Sequence, residues 1–196
     1  MHRTLAVSLT LALLAGCGEK KAEMMDPRQK PDPAPELAKL DVFLGSWTGT
    51  ATIVEPSREE MMKNMPPDAP EMPTTFEGAN RSEWVLGGHF LKMEGWHEEG
   101  PNDRRHYTAF WTWDEKAGKF YARFFTDTGA VGEEWMTADD DGKTFHTKFT
   151  ETDTLGNKSH GSGTMTVVSD DKMTWDFTMT MPEGKMRMTG ESTRQR

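Results

Sequence analysis

Apolar and polar residues alternate from residue 45 to the C-terminus, and this pattern predicts β-strands. The alternation is clearest at 172–181, where methionine, tryptophan and phenylalanine occupy every second position between threonines and an aspartate. Short turn sequences rich in Gly, Asp and Asn separate about ten such segments. The predicted strands lie near 46–54, 75–86, 88–96, 105–113, 119–126, 130–137, 143–151, 158–168, 172–181 and 185–193.

Most connections between these segments have the length of a hairpin, which predicts antiparallel pairing of sequence neighbours. An open sheet of about ten strands in this order would expose two long edges, whereas closure into a barrel removes them. The pattern therefore predicts an all-β fold, an antiparallel up-and-down closed barrel of about ten strands. A short helix at 36–43 precedes it, and Gly45 ends that helix. Aromatic residues occupy both faces of the first five strands, so the pattern does not assign the inner face there.

The connection at 55–73 is the one long loop, and it predicts a helical insertion. Ser57 and Glu60 fit a capping box, Met61, Met62 and Met65 follow, and a Pro-Pro pair ends the helix. The methionines are typical of a lid over one barrel mouth, because methionine packs against varied apolar shapes. Two alternatives are a plug of ordinary core and a thioether site for copper(I). We expect no bound metal.

Methionines on the last two strands extend the candidate pocket. They could line a pliable apolar cavity or fill the barrel as ordinary core, since a barrel of about ten strands is wide enough for either. The candidate ligand-pocket residues are Met61, Met62, Met65, Met173, Trp175, Phe177, Met179, Met186 and Met188.

Arg123 and Glu133 are a candidate polar anchor. A tight turn about Thr128 would place them directly opposite each other on strands five and six, and it would oppose Tyr121 to Trp135. We favour an ion pair on the outer face. The alternative is an arginine inside the barrel that holds a ligand carboxylate.

The N-terminus predicts export and lipidation. A basic start and a short apolar run lead to Leu-Ala-Gly-Cys, where Cys17 is the only cysteine of the chain. Residues 1–16 are typical of a signal peptide, and Cys17 is the predicted site of acylation, as in a bacterial lipobox. Residues 17–35 are rich in proline and charge, which predicts a disordered tether before a domain at 36–196. We expect attachment to the bacterial cell envelope through acyl chains, at the outer membrane if the cell is Gram-negative.

Charge and motifs narrow the possible functions. The formal net charge of −9 disfavours binding to phosphate backbones, so we expect no nucleic-acid partner. Once Cys17 is acylated, no thiol remains for disulfides, zinc or nucleophilic catalysis. His97-Glu98 lacks the second histidine of a zinc protease motif, and Ser162 lies in a strand rather than at a nucleophile elbow. We expect no catalytic residues and no enzymatic activity.

The stretch 40–50 combines a short helix with Gly-x-Trp-x-Gly at the start of strand one, and 85–91 contains a Leu-Gly-Gly hairpin. These features resemble the calycin-like barrels, which include lipocalins, fatty-acid-binding proteins and nitrobindins. Among these barrels, the chain is most similar to an uncharacterised bacterial family of unknown function. The resemblance covers residues 37–196 and implies a ten-stranded barrel but no reaction. Nitrobindins hold haem through a late-strand histidine, whereas no histidine follows His160 here. We therefore expect no haem or other cofactor.

Together these features predict a lipid-anchored envelope protein whose barrel binds a small apolar or amphipathic ligand. The alternative is a structural or interaction module with a filled barrel, which would meet another envelope protein through its outer surface.

Overall fold

Ten consecutive antiparallel strands close into one barrel in a computed structural model of the chain. The structure describes residues 32–56, 74–100, 103–182 and 184–196, without the side chains of residues 99 and 100. The strands are β1 (Gly45–Glu55), β2 (Thr75–Val85), β3 (Phe90–Gly100), β4 (Asp103–Asp114), β5 (Lys119–Thr126), β6 (Val131–Ala138), β7 (Thr144–Thr152), β8 (Lys158–Ser169), β9 (Lys172–Met181) and β10 (Gly184–Gln195). A 3₁₀ helix, Pro35–Phe43, precedes β1, and a one-turn 3₁₀ helix, Leu86–Gly88, joins β2 to β3.

The predicted all-β closed barrel is confirmed, and so is its up-and-down order. Each strand pairs with its sequence neighbours, and β1 pairs with β10 to complete the ring. Within 32–196, which forms a compact unit, the described ranges contain no helix long and apolar enough to cross a membrane. In the Leu-Gly-Gly turn between β2 and β3, Gly87 and Gly88 both have positive φ angles, of 73° and 87°, which glycine adopts readily.

Apolar side chains close one end of the barrel. Leu37, Leu40 and Phe43 of the 3₁₀ helix are buried against the barrel core. Trp47 is 2% exposed, and its Nε1 donates to the carbonyl oxygen of Phe43 at 3.1 Å. The buried strand residues of this apolar plug are Trp47, Leu91, Ala109, Trp111, Phe120, Ala122, Met136, Phe145 and Met173.

Arg194 links the 3₁₀ helix Pro35–Phe43 to β10, the strand that pairs with β1 to close the barrel. Its guanidinium lies 4.5 Å from the centre of the Trp47 ring and donates to the carbonyl oxygens of Val42, Leu44 and Asp170. These bonds join β10 to both the end of the helix and the start of β1. The plugged end of the barrel is therefore held by directional bonds as well as by apolar burial.

Candidate functional site

The two ends of the barrel interior differ in how tightly they are filled. At the plugged end, inward residues such as Phe120, Met136 and Phe145 are at most 2% exposed. Toward the opposite end, inward residues on the same strands, including Glu134 and Phe149, remain partly accessible. The half of the barrel away from the 3₁₀ helix is therefore less tightly filled than the plugged end. We call the interior of this half the lumen.

Four polar side chains form the boundary between the plug and the lumen, and we call them the polar floor: Asn80, Tyr107, Glu134 and Thr147. The strand register places all four on the inner face, since Asn80 pairs with Trp47 and Glu134 with the buried Ala122. Thr147 pairs with Met136, and Tyr107 lies two residues from the buried Ala109. On its own strand, each of these four residues is thus the first inward residue beyond a buried one in the direction of the lumen.

Glu134 dominates the electrostatics of the polar floor. Burial raises the pKa of its carboxyl group from 4.5 to about 7, and a side-chain hydrogen bond from Thr147 acts in the opposite direction. The Thr147 hydroxyl donates to Glu134 Oε1. Desolvation disfavours the charged form of a carboxyl group, and among the described residues no cation contributes to this shift. Glu134 can therefore exist in both protonation states near neutral pH.

Tyr107 faces the same space. Burial raises the pKa of its phenol to about 12; a side-chain hydrogen bond with Asn80 lowers it, and the nearby charge of Glu134 raises it further. The Tyr107 hydroxyl lies 3.8 Å from the sulfur of Met93, and its ring centre lies 6.1 Å from that of His97. Tyr107 is therefore a neutral hydrogen-bonding group throughout the physiological pH range.

An ion pair crosses part of the lumen nearer the mouth. Arg105 Nη2 on β4 lies 2.7 Å from Glu151 Oε1 on β7, and the two side chains are 17% and 20% exposed. Arg105 also reaches Thr128 Oγ1, at 3.5 Å, in the β5–β6 turn. The pair spans the inner side of β5 and β6 and narrows that side of the lumen. The carboxylate of Glu151 neutralises the charge of Arg105.

The opposite wall of the lumen is apolar and contains the methionines singled out in the sequence. The register places all of them on the inner face of β9 and β10, where Phe177 pairs with Met188 and Met179 with Met186. Met173 belongs to the plug, whereas the other residues of this apolar wall remain partly accessible. The apolar wall comprises Trp175, Phe177, Met179, Met186 and Met188.

Inward glycines let the aromatic rings lie flat against the barrel wall. A Cβ atom at Gly163 would lie 2.2 Å from the Phe177 ring, and one at Gly190 would lie 2.3 Å from the Trp175 ring. Neither distance is possible for a real side chain. Each ring therefore packs over the backbone of a glycine. A larger residue in place of the glycine would push the ring away from the wall and narrow the lumen.

The polar anchor proposed from the sequence lies outside this space. Arg123 pairs with Glu133 at the expected register, and Arg123 Nη1 lies 2.8 Å from Glu133 Oε1. Both are on the outer face, because the neighbouring Ala122 is the residue that points into the core. An interior arginine that holds a ligand is therefore not Arg123. Tyr121 and Trp135 also oppose each other outside, with ring centres 4.6 Å apart.

The alternation pattern did not reveal the polar floor or the Arg105–Glu151 pair. In both cases polar residues occupy inward positions that a filled core would give to apolar residues. The alternation along β6 contained the information needed to find Glu134. Met136 pairs with Phe120, and Glu134 lies two residues from Met136 on the same face of the strand. Recognising that this face is the inner one required knowing which face of β5 points inward.

Some predicted residues lie outside the described ranges. Met61, Met62 and Met65 of the predicted lid fall within 57–73, and Cys17 falls within 1–31. The candidate site is therefore built from the polar floor, the Arg105–Glu151 pair and the apolar wall. In the described part of the chain, no cluster of three or more His, Cys, Asp or Glu residues could hold a metal ion.

Two shallow recesses of about 370 Å³ each lie on the outer face where β1, β2, β9 and β10 adjoin. Threonines and Glu191 provide most of their lining, and Thr50 borders both. They lack enclosed titratable groups and a continuous apolar wall. The lumen therefore remains the better candidate for specific binding.

No protein-family model and no curated protein matches the sequence. Among solved structures, the fold is similar to that of Rv2717c from M. tuberculosis, with a TM-score of 0.57 and 15% identity. That match covers 84% of this chain and 100% of the other. A redesigned β-barrel, b11L5F_LGL, matches with a TM-score of 0.43 and 14% identity, over 81% of this chain and 96% of the other. The S-type phycobiliprotein lyase CPES from Guillardia theta matches with a TM-score of 0.46 and 9% identity, over 80% of this chain and 90% of the other. The similarity to Rv2717c supports the barrel fold.

Proposed function

We propose that the barrel binds one small amphipathic molecule in its lumen, with the polar group of the ligand on the polar floor. The observation that supports this proposal is the combination of enclosure and accessibility at the Glu134 and Tyr107 side chains. Both are enclosed deeply enough for burial to raise their pKa values, yet both keep accessible surface. Polar groups that are enclosed and still accessible face an internal space rather than a packed core.

The cost of burying these groups supports a binding role. An unpaired polar group in an apolar interior costs roughly 1–3 kcal/mol, and an unpaired charge costs more. Apolar residues at these positions would make a more stable plug. Perturbed pKa values in an enclosed space are typical of functional sites. The opposing apolar wall would bury the hydrocarbon part of the same ligand.

Binding can be tested with a neutral apolar dye, N-phenyl-naphthylamine, whose fluorescence rises in apolar surroundings. We expect the unaltered chain to bind it and Met179→Trp to weaken binding at least tenfold, because the larger ring fills the lumen. The matched control is Thr178→Trp, since Thr178 is the next residue of β9 and points outward opposite Arg187. Absence of binding by the unaltered chain would favour the structural module with a filled barrel.

We also propose that the protein is held at the cell envelope by acyl chains on Cys17. The support is the apolar run that ends in Leu-Ala-Gly-Cys. Cys17→Ser should leave the chain unacylated and should move it out of the membrane fraction. A Cys17→Ser chain that still fractionates with membranes as strongly as the parent would refute the anchor.

A further inference from the structure

The polar floor presents hydrogen-bond acceptors to the lumen. Asn80 Oδ1 is buried and has no hydrogen-bond partner among the described residues. Glu134 adds a carboxyl group whose Oε1 accepts a hydrogen bond from the Thr147 hydroxyl. Buried polar atoms are nearly always partnered in folded proteins, so Asn80 Oδ1 calls for a hydrogen-bond donor.

The inward arginines of the barrel do not supply that donor. In the described ranges, two arginines occupy inward register positions, and both are engaged elsewhere. Arg105 is paired with Glu151 at 2.7 Å, and Arg194 donates to backbone carbonyls at the plugged end. Neither of these arginines is therefore a counter-ion for charged Glu134 in the described part of the chain.

We propose that the lumen ligand is a primary amine, whose ammonium group lies on the polar floor between Glu134 and Asn80 and whose hydrocarbon part lies along the apolar wall. This inference rests on the proposed function and names its ligand class. An ammonium group has three donors and no acceptor, which complements a site that presents acceptors. It also supplies a counter-ion for Glu134.

A carboxylate ligand fits the same site poorly. Its oxygens would meet Asn80 Oδ1 and the charge of Glu134, with Arg105 already neutralised by Glu151. The chain as a whole has a formal net charge of −9, which attracts cations and repels anions at a distance. Local chemistry and long-range charge thus favour the same ligand class.

The experiment compares three probes with the same hydrocarbon chain and different head groups: dodecylamine, dodecanol and dodecanoate. The protein is the chain from residue 18 onward, which removes the predicted acyl chains and keeps the whole compact unit of 32–196. Calorimetric titration below the micelle concentration, near pH 8, gives a dissociation constant for each probe. We expect dodecylamine to bind at least tenfold more tightly than dodecanol, and dodecanoate to bind most weakly.

Glu134→Gln assigns the preference to its side chain. This variant should reduce the advantage of dodecylamine over dodecanol to less than threefold, because it removes the negative charge that pairs with the ammonium group. The matched control is Glu133→Gln, because Glu133 lies on the outer face of the same strand. The probe comparison in the unaltered chain needs no variant, so it tests the inference even if Glu134→Gln does not fold.

Each outcome has a distinct meaning. Equal binding of dodecylamine and dodecanol, or tighter binding of dodecanoate, would overturn the amine ligand and leave the proposed function standing. A preference for the amine that survives in folded Glu134→Gln would overturn the role of the polar floor. Failure of all three probes to bind would overturn both this inference and the proposed function.

Discussion

Replacement of Glu134 by glutamine tests the electrostatics of the lumen through the stability of the fold. The substitution keeps the shape of the side chain and an oxygen for the Thr147 hydroxyl, and it removes the titrating carboxyl group. Burial raises the pKa of Glu134 from 4.5 to about 7, so the folded chain holds this proton more tightly than the unfolded chain does.

The sign and the size of the effect follow from that difference. Between the two pKa values, the folded chain binds more protons, so the free energy of unfolding falls as pH rises through that window. The contribution is fully present below the unfolded pKa and is lost above pH 7. A tenfold change in proton affinity corresponds to about 1.4 kcal/mol, so the whole change is about 3 kcal/mol.

The assay is urea denaturation of the parent and of Glu134→Gln at about pH 4 and about pH 8. We expect the difference in stability between variant and parent to change by about 3 kcal/mol between the two pH values, in favour of the variant at pH 8. Tyr107 and the Arg105–Glu151 pair face the same lumen, and His97 lies near its mouth. These groups are the same in both proteins, so their contributions cancel in the comparison to first order.

Glu133→Gln is the matched control. Its side chain is 43% exposed and paired with Arg123, so its contribution is that of a surface ion pair, below about 1 kcal/mol. A change of less than about 1 kcal/mol for Glu134→Gln across this pH range would refute the reasoning. That result would mean that Glu134 is as well solvated as Glu133.

Three further predictions concern the plug, the polar floor and the wall. Trp47→Ala should cost about 3–5 kcal/mol in urea denaturation, because the residue is 2% exposed in the plug, and a cost below about 1 kcal/mol would contradict closure there. Thr147→Val should raise the pKa of Glu134 further, since it removes the hydrogen bond that lowers it, and an unchanged pKa in an NMR titration would disprove that contact. Gly163→Ala should lower stability by about 1–3 kcal/mol, because the new Cβ would displace the Phe177 ring, and an unaltered melting temperature would show that the ring moves freely.

The sequence determined the strands and their order. Turn residues and the period of two located every strand to within a few residues, because both signals are local. Closure was also predictable from the sequence, since an open sheet of this length would leave two edges unpaired. The register of Arg123 against Glu133 followed from the same local information.

Tertiary structure alone decided which face of the early strands points inward. Aromatic residues lie on both faces of β4 and β5, and the alternation there favours neither face. Closure places Trp111 and Phe120 in the plug and leaves Phe110 and Tyr121 outside, because each inward residue must meet inward residues of both neighbouring strands.

The composition of the lumen likewise emerged only with the closed barrel. Asn80, Tyr107 and Glu134 are far apart in the sequence, and each alone resembles an ordinary polar residue of a half-exposed strand. The ring of strands turns all three toward one space and removes water from around them, which is why the pKa of Glu134 rises. The sequence determined the strands because their signals are local, whereas the site depends on which distant residues the closed barrel encloses together.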